Sequence, residues 1–216
     1  MEGVRRVAAE LSERFDRLDV LINNAGVDVG RRQTTADGFE LTFAVNYLAP
    51  FLLTNSLLGL LRASAPARVL NLASSGHRGG RLDFDDLQHE RSFSGQGVYN
   101  DSKLALVLFT YELARRLEDS GVTANCVDPG FVRGTNIGRT LPFAYKAIGA
   151  ILMPFMTTPQ KAAAGVAWAS TAPELAAVSG AYLKRGKRVT SSKESHDPEL
   201  ARRLWDVTEA LVEPTA

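Results

Sequence analysis

At 216 residues with 45% hydrophobic content, the chain is long enough to bury one sizeable core, and a single domain spanning 1–216 is expected. Its 25 basic and 24 acidic residues leave a formal net charge of +1, which removes the electrostatic case for nucleic acid or an anionic membrane as a partner. A lone cysteine, Cys126, excludes an internal disulfide and suits a reducing, cytoplasmic location, and His77, His89 and His196 share no metal-ligand spacing with it, so no metal is expected.

The predicted elements alternate regularly. Val4, Val7, Ala8, Leu11 and Phe15 fall on one face of a charged amphipathic helix, which is not a signal peptide. Asp19 to Ile22 form an apolar strand running into Asn23-Asn24-Ala25-Gly26. A loop from Ala25 to Ala36 then leads to a helix with Asp37 as its expected N-cap. The apolar stretch Leu41 to Leu61 raises the question of a membrane span, but Asn46, Thr54, Asn55 and Ser56 interrupt it and Pro50 bends it, so a packed helix is expected. A second strand, Arg68 to Leu72, runs into Ser74-Ser75-Gly76, followed by a long loop to Gly95 with one short helical turn. The next helix carries Tyr99 and Lys103 and extends to about Ser120, before Gly121.

Val122 to Val127 form a third strand, with Cys126 as a buried packing residue, and run into Asp128-Pro129-Gly130. Beyond it lies an apolar run, Leu141 to Met156, between Pro142 and Pro154. Thr158-Pro159 opens another helix, Gly180 to Lys184 supply the last strand, and Lys184 to Arg188 are expected to be a solvated turn. Asp197-Pro198 opens a terminal helix whose buried stripe is Leu200, Leu204, Val207 and Leu211, with Trp205 at its edge. This alternation predicts an α/β fold with a doubly wound parallel sheet, whose ligands bind beyond the carboxyl ends of the strands.

The candidate chemistry lies at those strand ends. Residues four apart share a helix face, so the Lys103 ammonium lies beside the Tyr99 phenol, where it stabilises the phenolate and lowers a pKa that is ordinarily about 10. A serine from the Ser74-Ser75 pair can hold a substrate oxygen at the same point, as an alcohol-to-carbonyl oxidoreductase requires.

With these residues in order, the chain strongly resembles the short-chain dehydrogenase/reductase family, and within it the retinol-dehydrogenase-like reductases. The resemblance runs from Asn23-Asn24-Ala25-Gly26 through Asn46, Ser75, Tyr99 and Lys103 to Pro129-Gly130, and includes Arg81 to Leu87, Ser102 to Ala105 and Phe109 to Leu117. It implies hydride transfer between NAD or NADP and an apolar small-molecule alcohol or carbonyl. It assigns Tyr99 as acid-base group, Lys103 as its modulator and ribose ligand, Ser75 as the holder of the substrate oxygen, and Asn46 as the anchor of a proton-carrying water. Ser75 is preferred to Ser74 because the family uses the second serine of such pairs. The cofactor-contacting set implied is Asn23, Ala25, Gly26, Tyr99, Lys103, Pro129, Gly130, Val132 and Thr135. Residues 136–157 correspond to a substrate lid, and two helices, one beginning near Asp37 and one carrying Tyr99, to a four-helix homodimer interface.

The family's opening Thr-Gly-x-x-x-Gly-x-Gly turn is not present in these 216 residues. The expectation is therefore a Rossmann-like sheet truncated at its N-terminal side, with strands equivalent to 4-5-6-7 of the family's seven. The same departure keeps open a non-catalytic alternative, a fragment acting in assembly or interaction.

Overall fold

The computed structural model describes residues 1–134 and 156–213. Helix α1 (Glu2–Arg14) precedes strand β1 (Val20–Asn23). Three short segments follow: α2 (Leu41–Phe43), a π-helical turn (Ala44–Leu48) and α3 (Ala49–Ser56), with α4 (Leu58–Ala63) beyond a break at Leu57. Strand β2 (Ala67–Leu72), a 3-10 turn (Ser75–Gly79), helix α5 (Gly95–Arg116) and strand β3 (Val122–Asp128) come next. The chain continues with α6 (Pro159–Thr171), the hairpin β4 (Tyr182–Lys184) and β5 (Lys187–Val189), and α7 (Pro198–Val212).

The five strands form one sheet in the order β1-β2-β3-β4-β5. The first four are parallel, with Val20 opposite Arg68, Ala67 opposite Val122 and Cys126 opposite Tyr182, whereas β5 is antiparallel to β4. This is the expected α/β Rossmann-like sheet with one strand more than the sequence suggested. Only Arg185 and Gly186 of the basic cluster form a turn; both have positive φ, 51° and 71°, which suits a two-residue hairpin and lets Lys187–Val189 pair back onto β4. Helix α5 stops at Arg116, short of Ser120, because the chain turns away through Asp119 and Gly121, both in the left-handed region.

The helix after β1 is capped by Glu40, not Asp37: the Phe43 N–H donates to Glu40 Oε2 at 2.7 Å, and Glu40 is fully buried. Pro50 has no N–H to give the Asn46 carbonyl four residues earlier, and its ring crowds that oxygen. The helix widens into the π turn there, where the Ala49 N–H reaches back to the Ala44 carbonyl.

One face of the sheet is covered by α3, α5 and α7 around an aromatic core. Phe51 stands 4.9 Å from Trp205 and 5.1 Å from Phe109, ring centre to ring centre, and Tyr47 stands 5.1 Å from Phe43. Trp205 is therefore central in α7, only 4% exposed, whereas Leu200, Val207 and Leu211 are partly buried around it. On the opposite face α6 packs beside Leu70, Leu72, Val127 and Leu183.

Helix α7 lies across α3 and α5, and Tyr47 bonds Thr208 at 2.6 Å. Among the described residues no helix is long and apolar enough to cross a membrane.

Truncating Trp205 removes rings from this packing and leaves a cavity against Phe51 and Phe109. Trp205→Ala should cost about 3–5 kcal/mol, read as a lowered urea midpoint, and Trp205→Phe markedly less.

Candidate active site

Four strand ends and two helices converge at the carboxyl edge of the sheet. Asn46, fully buried in the π turn, aligns its carboxamide with the peptide of Val27: Oδ1 accepts the Val27 N–H at 2.8 Å and Nδ2 donates to the Val27 carbonyl at 3.0 Å. The same Nδ2 donates to Ser102 Oγ at 3.0 Å, and Ser102 Oγ donates to the Tyr99 carbonyl at 2.7 Å. One side chain thus ties the segment after β1 to the first turns of α5.

Ser74, just beyond β2, lies beside the Tyr99 phenol, where its hydroxyl opposes the rise in the phenol's pKa, and its Oγ accepts the Gly76 N–H at 3.1 Å. Ser75, the serine selected from the sequence, does not take this place: its Oγ donates to Asp128 Oδ2 at 2.7 Å and accepts from Lys184 Nζ at 2.6 Å. The reason is backbone geometry. Ser74 is extended, with φ −153° and ψ 151°, and caps the 3-10 turn that begins at Ser75, so consecutive side chains face opposite ways.

Lys103 is 4% exposed and donates to the Leu72 carbonyl at 2.8 Å. Its ammonium lies 5.8 Å from the centre of the Tyr99 ring. Burial pulls its pKa down to about 8, with the negative charge of Asp128 among the opposing influences. The Tyr99 phenol is not lowered as the sequence suggested: burial raises it, the Ser74 hydrogen bond opposes this, and the charges of Asp28 and Asp128 add to the rise. Tyr99 is therefore protonated at neutral pH. Cys126 is inert, its buried thiol pushed up to about 12.

Behind Ser74 lies a second polar group absent from the sequence-based set. Lys184 Nζ meets Asp128 Oδ2 at 2.8 Å, and the Tyr182 hydroxyl donates to the same oxygen at 3.0 Å. Burial alone would raise the Asp128 carboxyl, but hydrogen bonds from Lys184, Ser75 and the Gly130 N–H hold it below its ordinary value. His77 Nε2 accepts the Ser192 N–H at 2.9 Å, so the ring proton is on Nδ1, which faces the Ser74 carbonyl at 2.7 Å. The sequence signal for these residues was their position, since Asp128 and Lys184 end neighbouring parallel strands.

Of the cofactor-contacting set, Asn23 is engaged in structure: its Nδ2 donates to Thr54 Oγ1 at 2.9 Å and to Asn71 Oδ1 at 2.7 Å, bracing β1 against α3 and β2. Ala25 and Gly26 border the opening beside Asn46 and Lys103. A methyl group at Gly26 would come within 3.5 Å of Asn46 Oδ1 and 3.7 Å of Lys103 Nζ, filling the space between them. Pro129, Gly130 and Val132 stand at the end of β3, with Gly130 at φ 77°. Thr135 and residues 136–155 of the expected lid lie outside the described residues. Among the described residues no group of three or more His, Cys, Asp or Glu side chains converges to hold a metal.

Residues 1–144 match the family model of short chain dehydrogenase. Human Retinol dehydrogenase 13 is 44% identical over 218 residues, a span of 98% of this chain and 66% of that protein. Human Retinol dehydrogenase 14 is 42% identical over 215 residues, 98% of this chain and 64% of that protein. The chain thus spans just under two thirds of the length of these curated relatives. Polyprenol dehydrogenase of Danio rerio is 39% identical over 221 residues, covering 98% of this chain and 67% of that protein. Among solved structures, an uncharacterized protein from Mycobacterium Paratuberculosis matches with TM-score 0.73 and 30% identity, over 97% of this chain and 71% of that one. NADPH-bound carbonyl reductase from chicken fatty liver matches with TM-score 0.61 and 25% identity, over 88% of this chain and 73% of that one.

The depressed Lys103 gives a stability signature. Its folded value of about 8 lies below the 10.5 of an exposed lysine, so between these the unfolded chain binds the extra proton. The burial penalty is full below pH 8 and is relieved as pH rises to 10.5. Relative to Lys103→Met, the wild type should therefore gain stability across that window, by a total on the order of 3 kcal/mol, in urea unfolding measured pH by pH.

Proposed function

Because the chain belongs to the short-chain dehydrogenase family and is similar to the retinol dehydrogenases, we propose that it interconverts an alcohol and a carbonyl on an apolar small molecule, with NAD or NADP as cofactor. The observation that carries this reading is the convergence of Tyr99, Ser74, Lys103 and Asn46 at one rim of a parallel sheet. The names of the relatives, retinol and polyprenol dehydrogenases, point to an elongated apolar alcohol as the substrate class.

The residues present fit the nicotinamide half of such a cofactor. Gly26 leaves room beside Lys103, whose buried ammonium has protons beyond the one given to Leu72, suited to ribose hydroxyls. Pro129, Gly130 and Val132 border the same edge, with backbone groups suited to a carboxamide. The nicotinamide supplies the hydride when a carbonyl is reduced and accepts it in the reverse direction.

The chain's own groups handle the proton. In reduction, Tyr99 delivers its phenolic proton to the carbonyl oxygen while the Ser74 hydroxyl donates to that same oxygen. The adjacent Lys103 ammonium stabilises the phenolate left behind. The Asn46 main-chain carbonyl lacks its usual donor four residues on, because Pro50 has no N–H, and this oxygen is suited to anchor the water that returns a proton from outside. In oxidation the same groups act in reverse.

The second reading is a non-catalytic role in assembly or interaction. Nicotinamide fluorescence during titration with NADPH and NADH separates the two, since the non-catalytic reading expects no binding of either. Turnover is then followed with all-trans-retinal by chromatography of the product. Tyr99→Phe should lower kcat by about 10²–10⁴-fold and Ser74→Ala by about 10²-fold, each with a smaller change in KM. A Ser74→Ala protein with wild-type turnover refutes the assignment of the oxygen-holding serine.

A further inference from the structure

We propose that Ser75, Asp128 and Lys184 form a hydrogen-bonded clamp that positions Ser74 and balances the charge beside Tyr99. This deepens the catalytic reading above and rests on it for the role of Ser74. None of the three touches the reacting groups directly; they act through the turn that carries Ser74.

The geometry is closed on all sides. Asp128 Oδ2 receives Ser75 Oγ at 2.7 Å, Lys184 Nζ at 2.8 Å and the Tyr182 hydroxyl at 3.0 Å, while Asp128 Oδ1 receives the Gly130 N–H at 2.8 Å. Lys184 also donates to Ser75 Oγ at 2.6 Å, which completes a three-membered ring of hydrogen bonds. Ser75 is thereby held on the ends of β3 and β4, and the extended residue before it can only direct its side chain the other way, toward Tyr99. His77 fixes the Ser74 carbonyl from the far side and is itself held by Ser192. The turn has no spare room: a methyl group at Gly76 would stand 2.8 Å from Asn100 Oδ1 and 3.2 Å from Tyr99 Cε1.

Charge is the second part of the role. Asp28 from the segment after β1 and Asp128 from β3 act on the Tyr99 phenol, and Lys103 of α5 lies 5.8 Å from its ring centre, while Lys184 of β4 and His77 of the 3-10 turn stand on the far side, against Asp128. The side chain of Asp128 is 2% exposed, and a carboxylate so buried beside the phenol opposes formation of a phenolate. Lys184 sets a positive charge against it at 2.8 Å. Removing Lys184 leaves that carboxylate unopposed, whereas removing only the Ser75 hydroxyl disturbs the position of Ser74 and leaves the charges in place.

These two effects can be read separately. Tyr99 ionisation is followed by carbon-13 NMR of ring-labelled tyrosine in the free 216-residue protein, with the signal assigned through Tyr99→Phe. Lys184→Met should raise the Tyr99 midpoint by about half a pH unit or more, while Ser75→Ala should leave it in place. Lys184→Arg, which keeps the charge, should restore the wild-type midpoint. In turnover, Ser75→Ala should lower kcat roughly tenfold with KM nearly unchanged, the pattern of a misplaced hydrogen-bond donor. A Tyr99 midpoint unmoved in Lys184→Met overturns the charge role, and wild-type kcat in Ser75→Ala overturns the positioning role. The NMR arm needs neither cofactor nor turnover, so it remains decisive if the protein proves not to bind a nicotinamide.

Discussion

The site depends on the pairing of the Asn46 carboxamide with the Val27 peptide. An amide side chain that satisfies both the N–H and the C=O of one peptide acts as a short piece of sheet, and it fixes a loop that has no strand of its own to join. The pairing exists because Pro50 forces a widened turn around Asn46, and because Ser102 takes the remaining amide hydrogen. Helix α5 is thus indexed to β1 through a chain of four polar groups, and the ring of Tyr99 inherits that register. Buried networks of this kind are strong when every member is satisfied and costly when one is lost.

A second principle is visible in how charge is arranged. Lys103 is buried and Lys184 half-buried, and the two carboxylates Asp28 and Asp128 act on one phenol. Lys103 is accommodated with its affinity for a proton reduced, whereas Asp128 is accommodated with its charge retained by three donors. The difference follows from partners: Asp128 has a counter-ion in contact and Lys103 has a carbonyl. At about 8 its pKa still leaves Lys103 largely charged at neutral pH, so the positive charge beside Tyr99 is kept.

Much of this was legible in the residues. The strands and the helix bearing Tyr99 and Lys103 followed from period and punctuation, because apolar runs ended at Asn-Ala-Gly, Ser-Ser-Gly and Asp-Pro-Gly, whereas strand order came from the family resemblance. What could not be read was direction in space at single residues. Ser74 and Ser75 are indistinguishable by type, and only the extended backbone of one and the turn that starts at the other decide which faces the phenol. Asp128 and Lys184 are 56 residues apart, and nothing local announces that β3 and β4 bring them together. Asn23 looked like a ligand contact because it ends a strand at the cofactor rim, yet Thr54 and Asn71 consume its amide. Lys187 and Arg188 read as part of a solvated turn, because the exposed edge strand they begin carries little hydrophobic signal.

The position of α7 has a consequence for the candidate site. Its Thr208 meets Tyr47, the neighbour of Asn46 in the widened turn, and its Trp205 fills the space between Phe51 and Phe109. Helix α7 supplies none of the candidate reacting side chains, yet it braces the turn that carries Asn46. A substitution on its buried face therefore reaches the rim through packing alone, at a distance from every polar group of the candidate site.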